Sequence, residues 1–222
     1  MTRFLCALAL SVQTLVASPA LATDDSADII AARNFAEPAL GRRCDFATDD
    51  NARPADRNNV FHLAFRTKGQ DQDSPDHRRT LVQLTCSTGA YNFNSVFALR
   101  NDDPDEGGWE VLSFAQPLAD FDYLDEAFTK LRAPPTVSGY IAVTELTNSV
   151  FDIATKTISS HAKWRGVGDA WSAGTWEFRD GAFVLKHFEI DPTYQAADGD
   201  ADPAAAESYM LFGNSTPLSP AD

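Results

Sequence analysis

Cysteine is scarce in this chain: there are three in 222 residues, and Cys6 falls in the apolar N-terminal run. Only Cys44 and Cys86 remain to form a bridge. Basic residues are also few, 18 Lys and Arg against 32 Asp and Glu, for a formal net charge of −14. Nucleic acid and anionic membrane surfaces repel such a chain and are excluded as partner classes; a basic partner is permitted. The four histidines, His62, His77, His161 and His187, are widely separated and none has metal-ligand spacing. No Gly-x-Ser-x-Gly elbow occurs, so the common hydrolase nucleophile signature is missing. The Gly166-Val167-Gly168 pair fails as a dinucleotide fingerprint, because Trp171 stands where a third small residue is required. It also lacks the Lys-Ser/Thr of a phosphate loop. No catalytic, metal-binding or cofactor-binding residues are indicated, and no cofactor is expected.

The N-terminus reads as an export signal. Arg3 gives a positive start, Phe4 to Val16 is an interrupted apolar run, and Ala20-Leu21-Ala22 fits a small-x-small cleavage site. Residues 1–22 are therefore expected to be removed near Ala22. Loss of Arg3 takes the charge from −14 to −15. The run is too short and too interrupted for a spanning helix, no later stretch is apolar enough to cross a membrane, and Cys6 lacks a lipobox. The expected location is periplasmic or secreted. In that setting an even number of cysteines favours a Cys44–Cys86 disulfide over a metal site or a nucleophile; two unpaired buried thiols are the alternative.

The chain beyond the signal is mostly strand. A short helix is expected near Ala27–Asn34, ended by Pro38. From Asn59 the apolar period becomes two. Phe61, Leu63 and Phe65 share a face, as do Val82, Leu84 and Cys86, then Tyr91, Phe93, Phe97 and Leu99. In a fourth run Trp109, Val111 and Ser113 alternate with Glu110 and Leu112. These predict half-buried antiparallel strands in a meander. Phe121, Leu124, Phe128 and Leu131 fall at helical spacing, with Asp122 as a cap and Pro134-Pro135 as a stop, predicting a helix over 122–132. Strands resume at Gly139, with Tyr140, Ala142, Thr144 and Leu146 on one face, and again around Ile158, Ala162 and Trp164. The fold expected is mainly β: a single antiparallel, meander- or sandwich-like domain over residues 23–195 with one or two short helices. Residues 196–222 are expected to be a mobile Ala/Asp-rich segment and tail with one edge strand at "SYMLFG". Asp198, Asp200 and Asp202 imitate half a calcium loop, but Pro203 and Tyr209 occupy the positions of its glycine and glutamate. Asn214-Ser215-Thr216 fits a glycosylation acceptor that short polar tails often produce by chance.

The segment "KWRGVGDAWSAGTWEFRDGAFVL" (163–185) is the richest in the chain. Asp180-Gly181 is a strong two-residue hairpin signal, because that dipeptide accepts the positive φ angles of a primed turn. It pairs Arg179 with Ala182, Phe178 with Phe183, Glu177 with Val184 and Trp176 with Leu185. Trp176, Phe178, Phe183 and Leu185 then form one apolar face. The remaining "RGVGDAWSAG" is the candidate for function. Arg165 and Asp169 either clamp the connection or, with Trp164 and Trp171, present charge and aromatic surface to a partner.

Three blocks, "CSTGAYNFNSVFAL" (86–99), "LSFAQP" (112–117) and "LTNSVFDIATKTISSHAKWRGVGDAWSAGTWEFRDGAFVL" (146–185), resemble an exported proteobacterial family known as domain of unknown function 1176. Cys86, Gly89, Ala90, Tyr91 and Asn92 fit one family motif, and Lys163, Arg165, Gly166, Gly168, Asp169 and Trp176 fit another. The resemblance covers roughly the second half of the chain. It implies an exported compartment and a related fold, and it supplies no mechanism. One departure is plain: the family has a cysteine after the Gly-Asp, where this chain has Ala170, so a second disulfide implied by the resemblance is missing.

These features support three functional expectations. The first is a non-catalytic binding or inhibitor module for a basic cell-envelope protein. The second is an envelope structural or stress protein without a defined ligand. The third, ranked last, is a hydrolase whose site assembles from scattered residues such as Asp169, Glu145 and His161.

Overall fold

The computed structural model describes residues 25–46, 57–103, 107–194 and 208–213. The expected export signal, the Asp198–Asp202 loop and Asn214 lie outside the described residues. Twelve strands and one α-helix make up most of the described chain. The first sheet is the expected meander: β1 (Asn59–Phe65), β2 (His77–Thr88), β3 (Phe93–Asn101) and β4 (Gly108–Val111), all antiparallel. Next comes a two-stranded ribbon, β5 (Phe114–Asp120) with β6 (Thr136–Val143). The chain then returns to the first sheet as β7 (Glu145–Thr147), which pairs with β3 beyond the end of β4. The second sheet is also an antiparallel meander, ordered β8 (Val150–Asp152), β9 (Thr157–Lys163), β10 (Trp171–Arg179), β11 (Ala182–Asp191) and β12 (Tyr209–Phe212). β12 is the edge strand anticipated at "SYMLFG".

The Asp180-Gly181 hairpin has the expected register from Trp176↔Leu185 to Arg179↔Ala182, with both turn residues at positive φ (51° and 89°). The two sheets pack face to face. Leu63, Leu81, Phe97 and Leu99 of the first meet Ile158, Trp176, Phe178, Leu185 and Phe188 of the second. At the centre Trp176 is fully buried, edge-on to Phe114, and its indole N–H donates to the Ala115 carbonyl at 3.0 Å. That bond fixes β5 across the second sheet. Gly174 makes the ring's position possible, since a Cβ there would collide with the six-membered ring of Trp176.

Four sequence expectations need correction. The N-terminal helix α1 runs Asp25–Leu40, through Pro38 instead of stopping at it. Pro38 is exposed in the last turn, where the lost backbone bond is least costly because the ring faces solvent, while the stripe Asp28, Ala32, Ala36, Leu40 keeps the helix on the sheet. Its small alanines allow close approach to Val82, Leu84, Val96 and Ala98. That cover also corrects the half-buried reading of β2 and β3. Every residue from Thr80 to Cys86 and from Ser95 to Leu99 is buried, because α1 takes one face and the second sheet the other. The strand expected from Gly139 to Leu146 breaks at Thr144 into β6 and β7, which belong to different sheets. No helix forms over 122–132. The segment is a hairpin-like excursion held by Leu124 N–H to Lys130 carbonyl (2.9 Å), Arg132 N–H to Asp122 carbonyl (2.8 Å) and a Tyr123–Leu131 bridge. Asp125 does bond the backbone and hydroxyl of Thr129, at 2.9 and 2.6 Å, but it closes a loop and does not start a helix.

Two devices hold α1 in place. Cys44 and Cys86 form a disulfide, and the Asp45 and Phe46 N–H groups both bond the Cys86 carbonyl (3.0 and 3.2 Å). Such a bridge is compatible with an exported protein. At the other end, Arg100 of β3 bonds Asp28 of the helix, Asp102 at 2.7 Å and Thr80 at 3.1 Å, with its guanidinium 5.1 Å from the Trp109 ring centroid. Burial opposes the charge on Arg100, but the hydrogen bonds and charges of Asp102 and Asp28 outweigh it and raise its pKa.

Replacing both cysteines with serine should lower stability by about 4 kcal/mol on the loop-closure account, read as a fall in the urea midpoint. Gly174→Ala should cost about 1–3 kcal/mol, the usual range for overpacking. Gly139→Ala, which meets no atom within 4 Å, should be near neutral in the same assay.

Candidate functional site

The connection between β9 and β10 is closed by its own backbone before any side chain is considered. Trp164 N–H bonds the Ala170 carbonyl and Gly168 N–H bonds the Arg165 carbonyl, both at 2.9 Å. Gly168 sits at φ +74°, a left-handed conformation that favours glycine, and it lies against the aliphatic stem of Lys163. Within this turn Arg165 and Asp169 form the expected clamp, with Nε to Oδ1 at 2.7 Å and Nη2 on Oδ2. Asp169 is sealed in, its side chain 3% exposed against 40% for Arg165, and it also accepts the Ala170 N–H at 3.0 Å. The hydrogen bond to Asp169 raises the Arg165 pKa and outweighs the opposing desolvation, with the Asp169 charge adding to the rise. Ala170, fully buried, stands where the resemblance places a cysteine. Here a salt bridge and a backbone bond close the turn.

The four candidate partner-binding residues divide between two faces. Trp164 turns inward against the main core, donates to Ser172 Oγ at 3.3 Å and meets Phe121 edge-on at 5.9 Å. Arg165 stacks its guanidinium 4.5 Å from the Tyr194 ring centroid. Trp171 lies on the opposite face of the second sheet, stacked on His161 with centroids 5.3 Å apart and planes 23° apart. Trp164, Arg165 and Asp169 thus belong together, and Trp171 does not join their surface.

Sequence reasoning missed the residues that complete that surface. Phe121, Tyr123 and Phe128 come from the β5–β6 connection and Tyr194 from the end of the second sheet. They form a row of ring contacts: Trp164–Phe121, Tyr123–Phe128 (4.9 Å) and Phe128–Tyr194 (5.9 Å) edge-to-face, and Phe121–Tyr123 (6.1 Å) tilted at 41°. Tyr123 OH on the Pro192 carbonyl and Tyr194 N–H on the Phe128 carbonyl, each at 2.9 Å, pin the connection to the sheet end. Phe121, Leu124 and Phe128 remain exposed. Their spacing was visible as a period, but a period alone does not say that the partners are Trp164 and Tyr194 and not one another.

The two motif blocks of the resemblance also meet here. Asn92 donates to the Lys163 carbonyl (2.8 Å) and accepts from Asn148 (2.9 Å), which in turn bonds the His161 carbonyl (2.9 Å). Tyr91, exposed, lies across Gly166 at van der Waals distance. Asn92 therefore welds the first sheet to β9 at the root of the turn.

The residues of the scattered-hydrolase reading each have a different main partner. Glu145 lies 3.9 Å from Arg43, Asp169 holds Arg165, and His161 stacks on Trp171. The Cys44 and Cys86 sulfurs and the Glu145 carboxylate lie within 4.8 Å of one another. Those sulfurs are bonded together and offer no thiolate to a metal. His187 is buried, with Nε2 3.3 Å from Glu189. A register shift at Thr175/Trp176 sets the pairing there. Among the described residues no helix is long and apolar enough to cross a membrane.

Desolvation, mainly, lowers the His161 pKa from its ordinary value of 6.5. A base whose pKa is depressed on folding contributes full stability above its unfolded value and loses it as pH falls below. Because His161 stacks on Trp171, its protonation should quench tryptophan fluorescence with a midpoint below 6.5, and Trp171→Phe should remove that transition.

A family model described as "Protein of unknown function (DUF1176)" matches residues 64–206, more than half of the chain and more than the resembling blocks alone. No curated protein and no solved structure matches. The chain belongs to the DUF1176 family of proteins of unknown function.

Proposed function

We propose that this protein is an exported, non-catalytic binding module for a basic protein of the cell envelope, acting in the periplasm or outside the cell after removal of residues 1–22. The observation that carries the reading is the row of aromatic rings from Trp164 to Tyr194, partly open to solvent and held on a rigid frame. Aromatic rings with a pre-positioned guanidinium are the side chains that dominate protein recognition, because they bury large area at low conformational cost. Arg165 is already oriented by Asp169 and Tyr194, so little freedom is lost on docking. The acidic balance of 32 to 18 charged residues supports a basic partner by long-range attraction. The bridge between Cys44 and Cys86 supports the compartment.

Immobilised protein should retain a basic protein from periplasmic extract at low salt and release it at about 1 M salt, where screening falls to about 3 Å. A cationic cell-wall hydrolase such as lysozyme should be inhibited in the same salt range. Leu124→Ser, at an exposed side chain, should weaken retention about tenfold while leaving the thermal midpoint in place. No retained basic protein and no inhibition would overturn the proposal.

A further inference from the structure

The β5–β6 ribbon leaves a row of backbone groups without a strand partner among the described residues. β6 hydrogen-bonds to β5 along one edge, and its other edge has no strand beside it among the described residues. Pro117 of β5 stands opposite Tyr140. A proline has no N–H to give, so that pair cannot exchange hydrogen bonds, and the Tyr140 N–H and carbonyl must point away from β5. By alternation the same holds for Ala142. The outward row is therefore made of strand groups that no other described strand satisfies.

Natural sheet edges are guarded by charge, proline, bulges or shortness. β12 has four residues and β8 three, and the β1 edge is met by the Lys156 ammonium on the Ala64 carbonyl at 2.5 Å. β6 has one such guard, a register shift opposite Leu118/Ala119 near its start. The rest, Gly139 to Val143, is regular, uncharged and free of proline, with Tyr140 56% and Ile141 45% exposed. Five residues make an ordinary strand.

A row of alternating N–H and C=O groups is matched by another extended chain. Charge selects which one. A second copy would bring a further −14, whereas a cationic segment gains from it. Locally, Asp120 opposite Thr136 flanks one end of β6, and Glu145 flanks the other. Arg132 is already paired with Asp122 at 3.0 Å, and Arg43 lies 3.9 Å from Glu145. The edge is also continuous with the aromatic row, since the loop carrying Phe121 and Phe128 leads into β6.

We infer that β6 is a docking edge whose occupant is an extended basic segment of the partner protein, added as a third strand beside Gly139–Val143. This rests on the binding-module reading and names its mode.

The probe is a decapeptide alternating lysine and valine, with glutamate–valine and alternately N-methylated lysine–valine decapeptides as counterparts. The unmodified basic peptide should bind the full chain and slow amide exchange at Tyr140 and Ala142 at least about tenfold. The acidic and N-methylated peptides should not bind. Ala142→Pro deletes an outward donor without touching the β5 pairing and should weaken the basic peptide about tenfold. If that variant loses the ribbon, the N-methylated peptide decides alone on the wild-type chain. No binding of the unmodified peptide, equal binding of the N-methylated one, or protection confined to other strands would overturn the inference. Concentration-dependent protection of β6 without peptide would do the same by placing a second copy there. A basic envelope protein retained equally by wild type and Ala142→Pro would overturn the docking edge while leaving the binding-module reading in force; failure of wild type to retain any would count against the reading itself.

Discussion

The indole of Trp176 is the joint on which the architecture depends. Its ring fills the centre between the sheets and its N–H reaches the Ala115 carbonyl. A buried indole donor left without a partner costs free energy that its packing does not return. The bond therefore fixes where β5 crosses the second sheet, and with it the ribbon, the aromatic connection and the free edge of β6. Gly174 is the matching concession in the neighbouring register position, since any side chain there would take the ring's space.

A second constraint acts on the first sheet. β2 and β3 are buried on both faces, which requires that both faces be covered. The second sheet covers one and α1 the other. A helix whose buried stripe is largely alanine contributes modest apolar area, so its attachment leans on the Cys44–Cys86 bridge at one end and the Arg100–Asp28 pair at the other. Arg100 is well served, with two carboxylates, the Thr80 hydroxyl and the Trp109 ring around it. A charge so partnered specifies position more than it adds stability.

These joints produce a rigid frame with its unusual features on the connections. The Arg165 turn is locked by its own salt bridge and by Asn92, yet its rim carries exposed Tyr91 and Val167. The β5–β6 connection wraps onto Tyr194 and leaves Phe121, Leu124 and Phe128 partly in water. Binding surfaces are commonly built this way, with loops displayed by a scaffold that does not move.

The sequence by itself determined the strand-rich class, the first meander, the disulfide and the hairpin at Asp180-Gly181. Each of these is local or forced: period two, a dipeptide that accepts positive φ, and a single available cysteine pair. The Arg165–Asp169 clamp was legible for the same reason, its two ends lying one short turn apart. Only the tertiary structure decided that Phe121 to Leu131 forms an aromatic loop and not a helix, because the partners of those rings are Trp164 and Tyr194, far away in the chain. It also decided that α1 passes Pro38, that Trp171 and Trp164 part to opposite faces, and that the strand after Gly139 divides between two sheets. Periodicity records which side of an element is apolar; what covers that side is settled by residues that are distant in sequence and adjacent only once the chain has folded.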